Sequence, residues 1–386
     1  WQNPVLREEI YKMINWWLDM GIAGFRIDAI INIKKDLEWR SLPSDRENGL
    51  VPVPESLVNA QSIEPFLQEL KERTFAKYNA FTVGEVFNET DEELHFFIGK
   101  DGVFSSIFDF KQTMLGQEGK GWFDHSLPTA DELKESIFQA HERADSIGVL
   151  STIIENHDEP RGVSHYIAEG QVNDTSKKAL GTIQILRKGI PFIYQGQEIG
   201  MENQVFESVE DFDDIATING YHVAKEAGLS EEEALAAIAN YSRDNARTPM
   251  QWSAEPGLGF SDGTAWLISP KPNVAINVKD QEKDPNSILN YYRQLTALYR
   301  HPLYGNTIRF GDMIPAYRDR ENIIAFERRG DKRLLVVSNF QNRQAALELP
   351  APIKTVVLNN TAGLFQEGDQ VLELAPYQTV VLELVE

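Results

Sequence analysis

The sequence predicts an α/β protein whose parallel strands are joined by helices, followed by a separate all-β domain. Two observations carry this prediction. Up to about residue 300, short apolar runs alternate with segments whose apolar residues recur at helical spacing. Beyond residue 320 the apolar period changes to two, which is typical of strands. The alternation indicates parallel strands with crossover helices, but the spacing alone fits a closed barrel and an open sheet equally well.

The first 200 residues contain a regular series of elements. Asn3 and Pro4 have the residue types of a helix N-cap and first turn, and Gly21 ends this first helix. The elements predicted after it are a strand at 24–30, a helix through Leu57, Ile63, Leu67 and Leu70, strands at 81–86 and 104–110, a helix at 130–144, a strand at 150–154, a helix at 176–186 and a strand at 189–194.

The remainder of the chain divides into an excursion, a closing helix and the all-β domain. The excursion covers residues 202–284 and contains a helix that begins with a capping box of Ser230 and Glu233. A helix at 287–300 should close the first domain, which we predict to cover residues 1–301. Residues 302–386 form the β domain, with a hairpin at 323–339 that turns at Gly330 and Asp331, and strands at 356–358 and 379–384.

Composition limits the ligands and the compartment. The net charge of −22, from 59 acidic and 37 basic residues, argues against nucleic acid and anionic membranes as partners and favours a neutral ligand. No apolar run is long enough to span a bilayer. The chain has no cysteine, which fits a reducing compartment, and we expect a cytoplasmic protein. The chain starts at Trp1, so we expect further sequence before it.

Charged residues mark the ends of three predicted strands. Arg26 and Asp28 share one face of the first strand, Glu85 ends the second, and His157 and Asp158 follow a third. The strand with Arg26 and Asp28 is expected to be buried. The guanidinium should lower the pKa of the Asp28 carboxyl, whereas Glu85 follows an apolar run and should have a higher pKa. A buried ion pair that only fixes strand register is the alternative.

The same stretches carry a family resemblance. GFRIDAI at 24–30, FTVGEV at 81–86 and ENHDEPR at 155–161 resemble the strand motifs of the alpha-amylase superfamily, glycoside hydrolase family 13, in its alpha-glucosidase and oligo-1,6-glucosidase branch. Residues 189–201 and 242–252 are similar to further segments of this branch. The resemblance implies a partial TIM (β/α)8 barrel with strands four to eight, followed by a β-sandwich domain. It also implies that the first three strands and an inserted small domain are missing from this sequence.

The resemblance implies a role for each residue of the site. Asp28 would be the nucleophile, Glu85 the general acid/base and Asp158 a third carboxylate that holds sugar hydroxyls. Four residues would line the substrate pocket: Arg26, His157, Ala29 and Arg243. Arg243 is equally well explained as a structural arginine. Glu159 and Arg161 would either contact the leaving sugar or form a surface ion pair.

The activity implied is that of an exo-acting, retaining α-glucosidase that hydrolyses α-1,4 and/or α-1,6 bonds of small oligosaccharides or disaccharides. Three alternatives are a glucosyl-transferring relative such as a sucrose isomerase, a non-catalytic transporter subunit, and a fragment inactive on its own. Enzymes of this branch that prefer α-1,6 bonds usually carry valine directly after the nucleophile, where this chain has Ala29. Val86-Phe87-Asn88 likewise replaces the Met-Pro-Gly that often follows the acid in oligo-1,6-glucosidases. These two departures leave the preference between α-1,4 and α-1,6 bonds open.

No cofactor is expected for this chemistry. The histidines lack a His-Glu-x-x-His or other paired spacing, so no catalytic metal site is predicted. Relatives often hold a structural calcium in a loop before the third strand, and the resemblance therefore allows a calcium in the missing N-terminal part.

Overall fold

The structure is a computed structural model, which describes residues 1–38, 40–44, 49–51, 55, 57, 60, 62–116, 123–269, 271–363 and 365–385. The chain forms two compact units. The first unit consists of Trp1–Phe108 and Glu142–Ser151, and the second of Asp109–His141 and Thr152–Glu386.

The first unit begins with the predicted helix, α1 (Pro4–Asp19). The Asn3 side chain accepts a hydrogen bond from the Val5 N–H at 2.9 Å, so the predicted N-cap is confirmed. Gly21 has a left-handed φ of 95°, which ends the helix. The buried face of α1 joins a core that includes Leu67, Leu70 and Ile107.

Parallel strands form the sheet of the first unit. β1 (Gly24–Ile27) pairs with β2 (Phe81–Gly84), which pairs with β3 (Ser106–Phe108), and Ile107 of β3 pairs with Leu150 of β4 (Leu150–Thr152). A Cβ added to Gly24 would lie only 1.8 Å from the Phe81 carbonyl oxygen, so this close approach requires glycine. Because the strands are parallel, the residues that follow them lie at one edge of the sheet.

The first strand departs from its prediction in length and burial. It ends at Ile27, because Ala29 has a left-handed backbone with φ 40° and a 3-10 turn follows at Ile30–Ile33. The Asp28 side chain is 72% exposed, so the expectation of a buried charge at this position was wrong. The backbone turn after Ile27 carries Asp28 beyond the strand, out of the sheet.

Helices of both units mostly agree with the predicted series. The predicted helix through Leu57 begins later, at Glu64, and residues 52–54, 56, 58, 59 and 61 lie outside the described residues. The helix at 130–144 is confirmed. The helices after α1 are α2 (Glu64–Arg73), α3 (Phe75–Tyr78), α4 (Asp91–Ile98), α5 (Ala130–Ala144), α6 (Gly162–Tyr166), α7 (Asp174–Leu186), α8 (Ile215–Glu226), α9 (Glu231–Tyr241), α10 (Val278–Gln281), α11 (Ile288–Leu298) and α12 (Gly305–Phe310).

The second unit contains the short strand β5 (Ile190–Pro191) and the excursion. β5 is shorter than predicted, and the Phe192 N–H after it donates to the Thr152 carbonyl at 2.9 Å. Helix α9 has the predicted capping box, because Ser230 Oγ accepts a hydrogen bond from the Glu233 N–H and the Glu233 carboxylate accepts one from the Ser230 N–H. Among the described residues, no helix is long and apolar enough to cross a membrane.

The C-terminal part of the second unit is all-β, and its hairpin is confirmed. The strands are β6 (Asp312–Ala316), β7 (Ile323–Arg329), β8 (Arg333–Asn339), β9 (Ala345–Glu348), β10 (Ile353–Asn359), β11 (Val371–Leu374) and β12 (Thr379–Leu384). One antiparallel sheet has the order β10-β12-β8-β7-β6, and β11 pairs with β9 in a second sheet.

The larger sheet is buried on both faces. Phe326 and Val336 belong to a core shared with α7 and α11, whereas Ala325 and Val337 belong to a core shared with the smaller sheet. This two-sided burial explains why β7 and β8 read as nearly continuous apolar runs.

Candidate active site

In the first unit, one arginine connects the residues that follow two neighbouring strands. Arg26 Nη2 donates to Glu85 Oε2 at 2.7 Å, and Arg26 Nη1 donates to Asp28 Oδ1. The pair with Asp28 was predicted. The pair with Glu85 was not, because it depends on the register of β1 against β2, in which Ile27 lies opposite Gly84.

The backbone also fixes Glu85. The Glu85 N–H donates to the Ile27 carbonyl at 2.9 Å, which extends the ladder one residue past the strand. Glu85 Oε2 accepts a second hydrogen bond, from the Ala29 N–H, at 2.8 Å. The left-handed conformation of Ala29 accompanies this bond and turns the chain at the point where Asp28 leaves the strand.

The two carboxyl groups differ in environment. The Glu85 side chain is only 14% exposed, against 72% for Asp28. Burial raises the pKa of Glu85; the Ala29 N–H and the Arg26 charge lower it, and Asp28 raises it again, so that the pKa stays above its usual value. The predicted direction for Glu85 is therefore confirmed. This arrangement can present a protonated acid beside an accessible carboxylate.

In the second unit, Asp158 is surrounded by cationic and ring nitrogens. Arg243 Nη1 and Arg247 Nη2 lie 3.1 and 2.9 Å from Asp158 Oδ1, and His157 Nε2 lies 3.1 Å from Oδ2. Arg247 Nε also donates to the His157 carbonyl at 2.9 Å. Both oxygens of Asp158 are thus held, and the structure brings together the predicted His157, Asp158 and Arg243.

Arg247 is a site residue that sequence reasoning missed. Arg243 begins the 3-10 helix Arg243–Ala246 and Arg247 is its C-cap, and both side chains reach Asp158. The four-residue spacing of the two arginines was the available signal. Arg243 Nε also lies 3.4 Å from Asp214 Oδ1, which is an ion-pair distance without a hydrogen bond.

The two interpretations offered for Arg161 were both wrong. Its side chain is 1% exposed and pairs with Glu155 at 2.9 Å, so it neither reaches a sugar nor forms a surface pair. Its partner is Glu155, the first residue of the ENHDEPR motif, to which no role was assigned from the sequence. Glu159 stays near the site, and burial raises the pKa of its carboxyl to about 7.

Replacing Glu159 with glutamine is expected to remove a pH-dependent loss of stability. The folded carboxyl keeps its proton up to about pH 7, whereas the unfolded carboxyl loses it near the ordinary value of 4.5, so wild-type stability falls as pH rises through this window. From pH 4.5 to 8, the unfolding free energy of Glu159→Gln should gain about 3 kcal/mol relative to wild type. Urea titrations at several pH values measure the unfolding free energy, and Glu169→Gln, at an exposed position, is the control. If the unfolding free energy of wild type and of Glu159→Gln changed equally with pH, the raised pKa of Glu159 would be contradicted.

The described residues contain no group of three histidine, aspartate or glutamate side chains able to hold a metal ion. The structural calcium that the resemblance allows is not tested by these residues and stays a prediction.

Comparison with protein families matches residues 1–303 to the alpha amylase catalytic domain. The chain belongs to the alpha-amylase family. Residues 323–381 match a second model, the alpha-amylase SusG C-terminal domain, so an alpha-amylase catalytic domain is followed by an all-β C-terminal domain.

The relatives of this alpha-amylase family member include named glucosidases. It is 38% identical over 302 residues to a probable oligo-1,6-glucosidase 3 of Bacillus subtilis, a match that covers 77% of this chain and 53% of the relative. It is 37% identical over 366 residues to an oligo-1,6-glucosidase of Halalkalibacterium halodurans, covering 93% of this chain. The chain spans 65% of the length of that second relative.

A solved structure supports the fold. The crystal structure of the isomaltulose synthase SmuA from Protaminobacter rubrum superposes with a TM-score of 0.90 at 29% identity, over 100% of this chain and 69% of that one.

Proposed function

We propose that this alpha-amylase family member is an exo-acting, retaining α-glucosidase that hydrolyses α-1,4 and α-1,6 bonds of short glucosides. The observation that carries the proposal is that Arg26 donates hydrogen bonds to both Asp28 and Glu85, which follow the neighbouring parallel strands β1 and β2. Retaining hydrolysis needs two carboxyl groups about 5 Å apart, one protonated and one ionised. Glu85 is the more buried and has the raised pKa, and Asp28 is the more exposed.

In the proposed mechanism Glu85 begins as the acid and Asp28 as the nucleophile. Glu85 gives its proton to the glycosidic oxygen while Asp28 Oδ attacks the anomeric carbon, so the carbon–oxygen bond breaks and a glucosyl ester of Asp28 forms. Glu85, now ionised, takes a proton from water as that water attacks the same carbon and releases Asp28. Arg26 favours the ionised form of both carboxylates in turn.

The remaining pocket roles rest on the family. Asp158 would bind sugar hydroxyls and stabilise a distorted ring, His157 and Arg26 would line the pocket, and Arg243 would gate it. We propose no cofactor, since acid and nucleophile are both supplied by the chain. A small neutral oligosaccharide, with no nucleic acid or membrane as partner, fits the net charge of −22.

The proposal extends to architecture and location. We propose that β1 to β5 are strands four to eight of a (β/α)8 barrel, because they are short and paired in chain order, with β1 to β4 parallel, and that the C-terminal domain is a β-sandwich. A chain free of cysteine suits a reducing compartment, which favours a cytoplasmic location.

A second candidate is a sucrose isomerase. Its support is the likeness to structures named isomaltulose synthase and trehalulose synthase, at TM-scores of 0.90 and 0.89. Such an enzyme would share the first step and differ in the acceptor that attacks the glucosyl ester.

The test is a product analysis of the purified full-length protein. On an aryl α-glucoside, whose glucose comes only from the cleaved residue, the α-anomer should form first, as proton NMR shows before mutarotation, and maltose and isomaltose should both be hydrolysed to glucose. On sucrose, hydrolysis to glucose and fructose supports the glucosidase, whereas an isomeric disaccharide as main product supports the isomerase. Glucose formed first as the β-anomer would exclude retention.

The Ala29→Val variant tests linkage preference. The relatives' names point to α-1,6 bonds, while the single methyl of Ala29 leaves room at the wall beside the leaving sugar. We expect wild type to cleave maltose at least as well as isomaltose. The variant should shift the ratio of kcat/KM toward isomaltose by about five- to 150-fold, since one or two methyl groups discriminate by about 1–3 kcal/mol.

The backbone adds a cost to this variant. Ala29 is left-handed, where a branched side chain is strained by about 1–3 kcal/mol, so Tm should also fall. The ratio of two substrates on one preparation cancels any loss of folded protein. A wild-type preference for isomaltose above about tenfold, or an unchanged ratio in the variant, would refute the steric argument.

A further inference from the structure

A buried ion pair joins the two ends of the segment that carries His157 and Asp158. Glu155 Oε1 pairs with Arg161 Nη1 at 2.9 Å, and Glu155 Oε2 accepts from the Gly162 N–H at 2.6 Å. The side chains of Glu155 and Arg161 are 0% and 1% exposed. Both carboxylate oxygens are used, so the segment 155–162 is closed into a loop by its own ends.

Arg161 also binds a second segment of the same unit, the one that follows β5. Arg161 Nη1 donates to the Gln195 carbonyl at 2.8 Å, and its guanidinium carbon lies 5.3 Å from the centre of the Tyr194 ring. Gly196 keeps this space open, because a Cβ there would lie 2.5 Å from Met201 Sδ and 3.1 Å from Arg161 Nη1. One buried guanidinium therefore holds two loops together.

Tyr194 extends the connection to a third segment. Its hydroxyl donates to the Ala246 carbonyl at 3.0 Å, and the next residue is Arg247. Arg247 returns to the starting loop through its bonds to the His157 carbonyl and Asp158. The contacts form a closed circuit from Arg161 through Tyr194 and Arg247 to Asp158.

Stability alone gives little reason for this pair. Removing two charges from water is costly, and a buried ion pair is often no more stabilising than apolar residues of similar volume. The guanidinium does supply a rigid planar fork that fixes the direction of several acceptors at once. Geometry, more than free energy, is what this pair contributes.

We propose that Arg161 is a positioning residue, held by Glu155, that aligns Asp158 and Arg247 for the reaction. The inference rests on the proposed function, in which Asp158 grips the sugar. Arg161 is too deeply buried to meet a substrate, so it acts only through the residues that do. A misplacement of Asp158 should weaken interactions made in the transition state more than those made in the ground state.

The test compares Arg161→Lys with a matched control, Arg328→Lys. Arg328 is also 1% exposed and donates to two carbonyls, those of Leu186 and Gly311, at 2.9 and 2.7 Å, but none of its bonds joins the circuit. Lysine keeps the charge and loses the fork. In the full-length protein, Arg161→Lys should lower kcat on maltose at least thirtyfold with KM changed less than threefold, while Arg328→Lys keeps kcat within twofold.

Both variants should lower Tm. If Arg161 had a purely structural role, kcat per folded molecule would be the same in the two variants. A kcat for Arg161→Lys within threefold of wild type, or an equal loss in Arg328→Lys, would overturn the inference. Glu155→Gln provides a second variant in case Arg161→Lys does not fold. It keeps an oxygen for the Gly162 N–H and should show an intermediate loss of kcat.

Amide hydrogen exchange gives a readout that needs no turnover. Arg161→Lys should speed exchange at residues 155–162 and at 243–247, whereas Arg328→Lys should leave both segments protected. Unchanged protection in Arg161→Lys would overturn the positioning role whatever the protein's activity. Failure of the proposed function is seen separately, as absence of turnover by wild type on maltose, isomaltose and sucrose.

Discussion

Replacing Asp28 with asparagine is expected to lower kcat on maltose and isomaltose in the full-length protein by at least about a thousandfold. The amide has nearly the shape of the carboxylate, so the fold should survive, but its oxygen cannot form the glucosyl ester. Because Asp28 is largely exposed in this structure, removing its charge should change Tm by only about 1–2 °C. Initial rates and thermal unfolding on the same preparation measure both effects.

Asp312→Asn is a suitable control, because this aspartate is also exposed, at 76%, and is also near a cation, Lys188. It should keep wild-type kcat. A further variant, Asp28→Gly, leaves space on the side from which the carboxylate would attack. With an activated glucosyl donor and azide, it should form the β-glucosyl azide. Activity of Asp28→Asn above a few per cent of wild type would remove this residue from the nucleophile role.

Replacing Glu85 with glutamine should produce a loss that depends on the leaving group. On maltose, whose leaving sugar needs a proton, kcat should fall by about a thousandfold or more. On an aryl α-glucoside with an acidic phenol, formation of the glucosyl ester needs little protonation, so this step should be slowed by less than about a hundredfold. Breakdown of the ester still needs a base, and a burst of phenol should therefore precede slow turnover.

The pH dependence gives a second measurement on Glu85. Activity on maltose requires its protonated form, so the rate should fall as pH rises through the raised pKa of this carboxyl. In Glu85→Gln this alkaline fall should disappear. The same loss on both substrate classes, or an alkaline limb that remains in the variant, would assign the acid to another residue. Glu89→Gln serves as the control, because Glu89 pairs with Arg143 away from Arg26.

Local sequence signals predicted the elements whose ends are set locally. The N-cap at Asn3, the capping box of Ser230 and Glu233, and the hairpin at Gly330 all depend on residues within a few positions of one another, and all were confirmed. The strand at 24–30 was overestimated because apolar side chains continue past Ile27 while the backbone turns. That turn is set by Ala29 and its bond to Glu85, a partner 56 residues away.

The site was predictable to the extent that its chemistry lies at strand ends. Glu85 was found because it follows an apolar run, and the structure gives its raised pKa. Arg247 and the pair of Glu155 with Arg161 were missed, since each depends on which loops meet. Asp158 and Arg247, for example, are 89 residues apart, and no pattern of apolar residues carries that information.

The motif resemblance supplied what periodicity could not. The spacing of apolar residues predicted parallel strands but did not distinguish a closed barrel from an open sheet. It also located carboxyl groups at strand ends without assigning a role to each. The match of residues 1–303 to the alpha amylase catalytic domain confirms the family. The assignment of Asp28, Glu85 and Asp158 to individual roles stays a prediction until the variants are measured.

The two-sided burial of the larger β sheet has a consequence for the order in which the protein can mature. Helix α7 is complete at Leu186, yet Leu186 accepts a hydrogen bond from Arg328, and Ile183 shares its core with Phe326. At about 5–20 residues per second, the ribosome makes these partners, up to 142 residues later, about 7–28 seconds after the helix. During that interval one face of α7 lacks its cover, so we expect the second unit to mature only after β7 and β8 have left the exit tunnel, and a nascent chain stalled before residue 323 to bind chaperones.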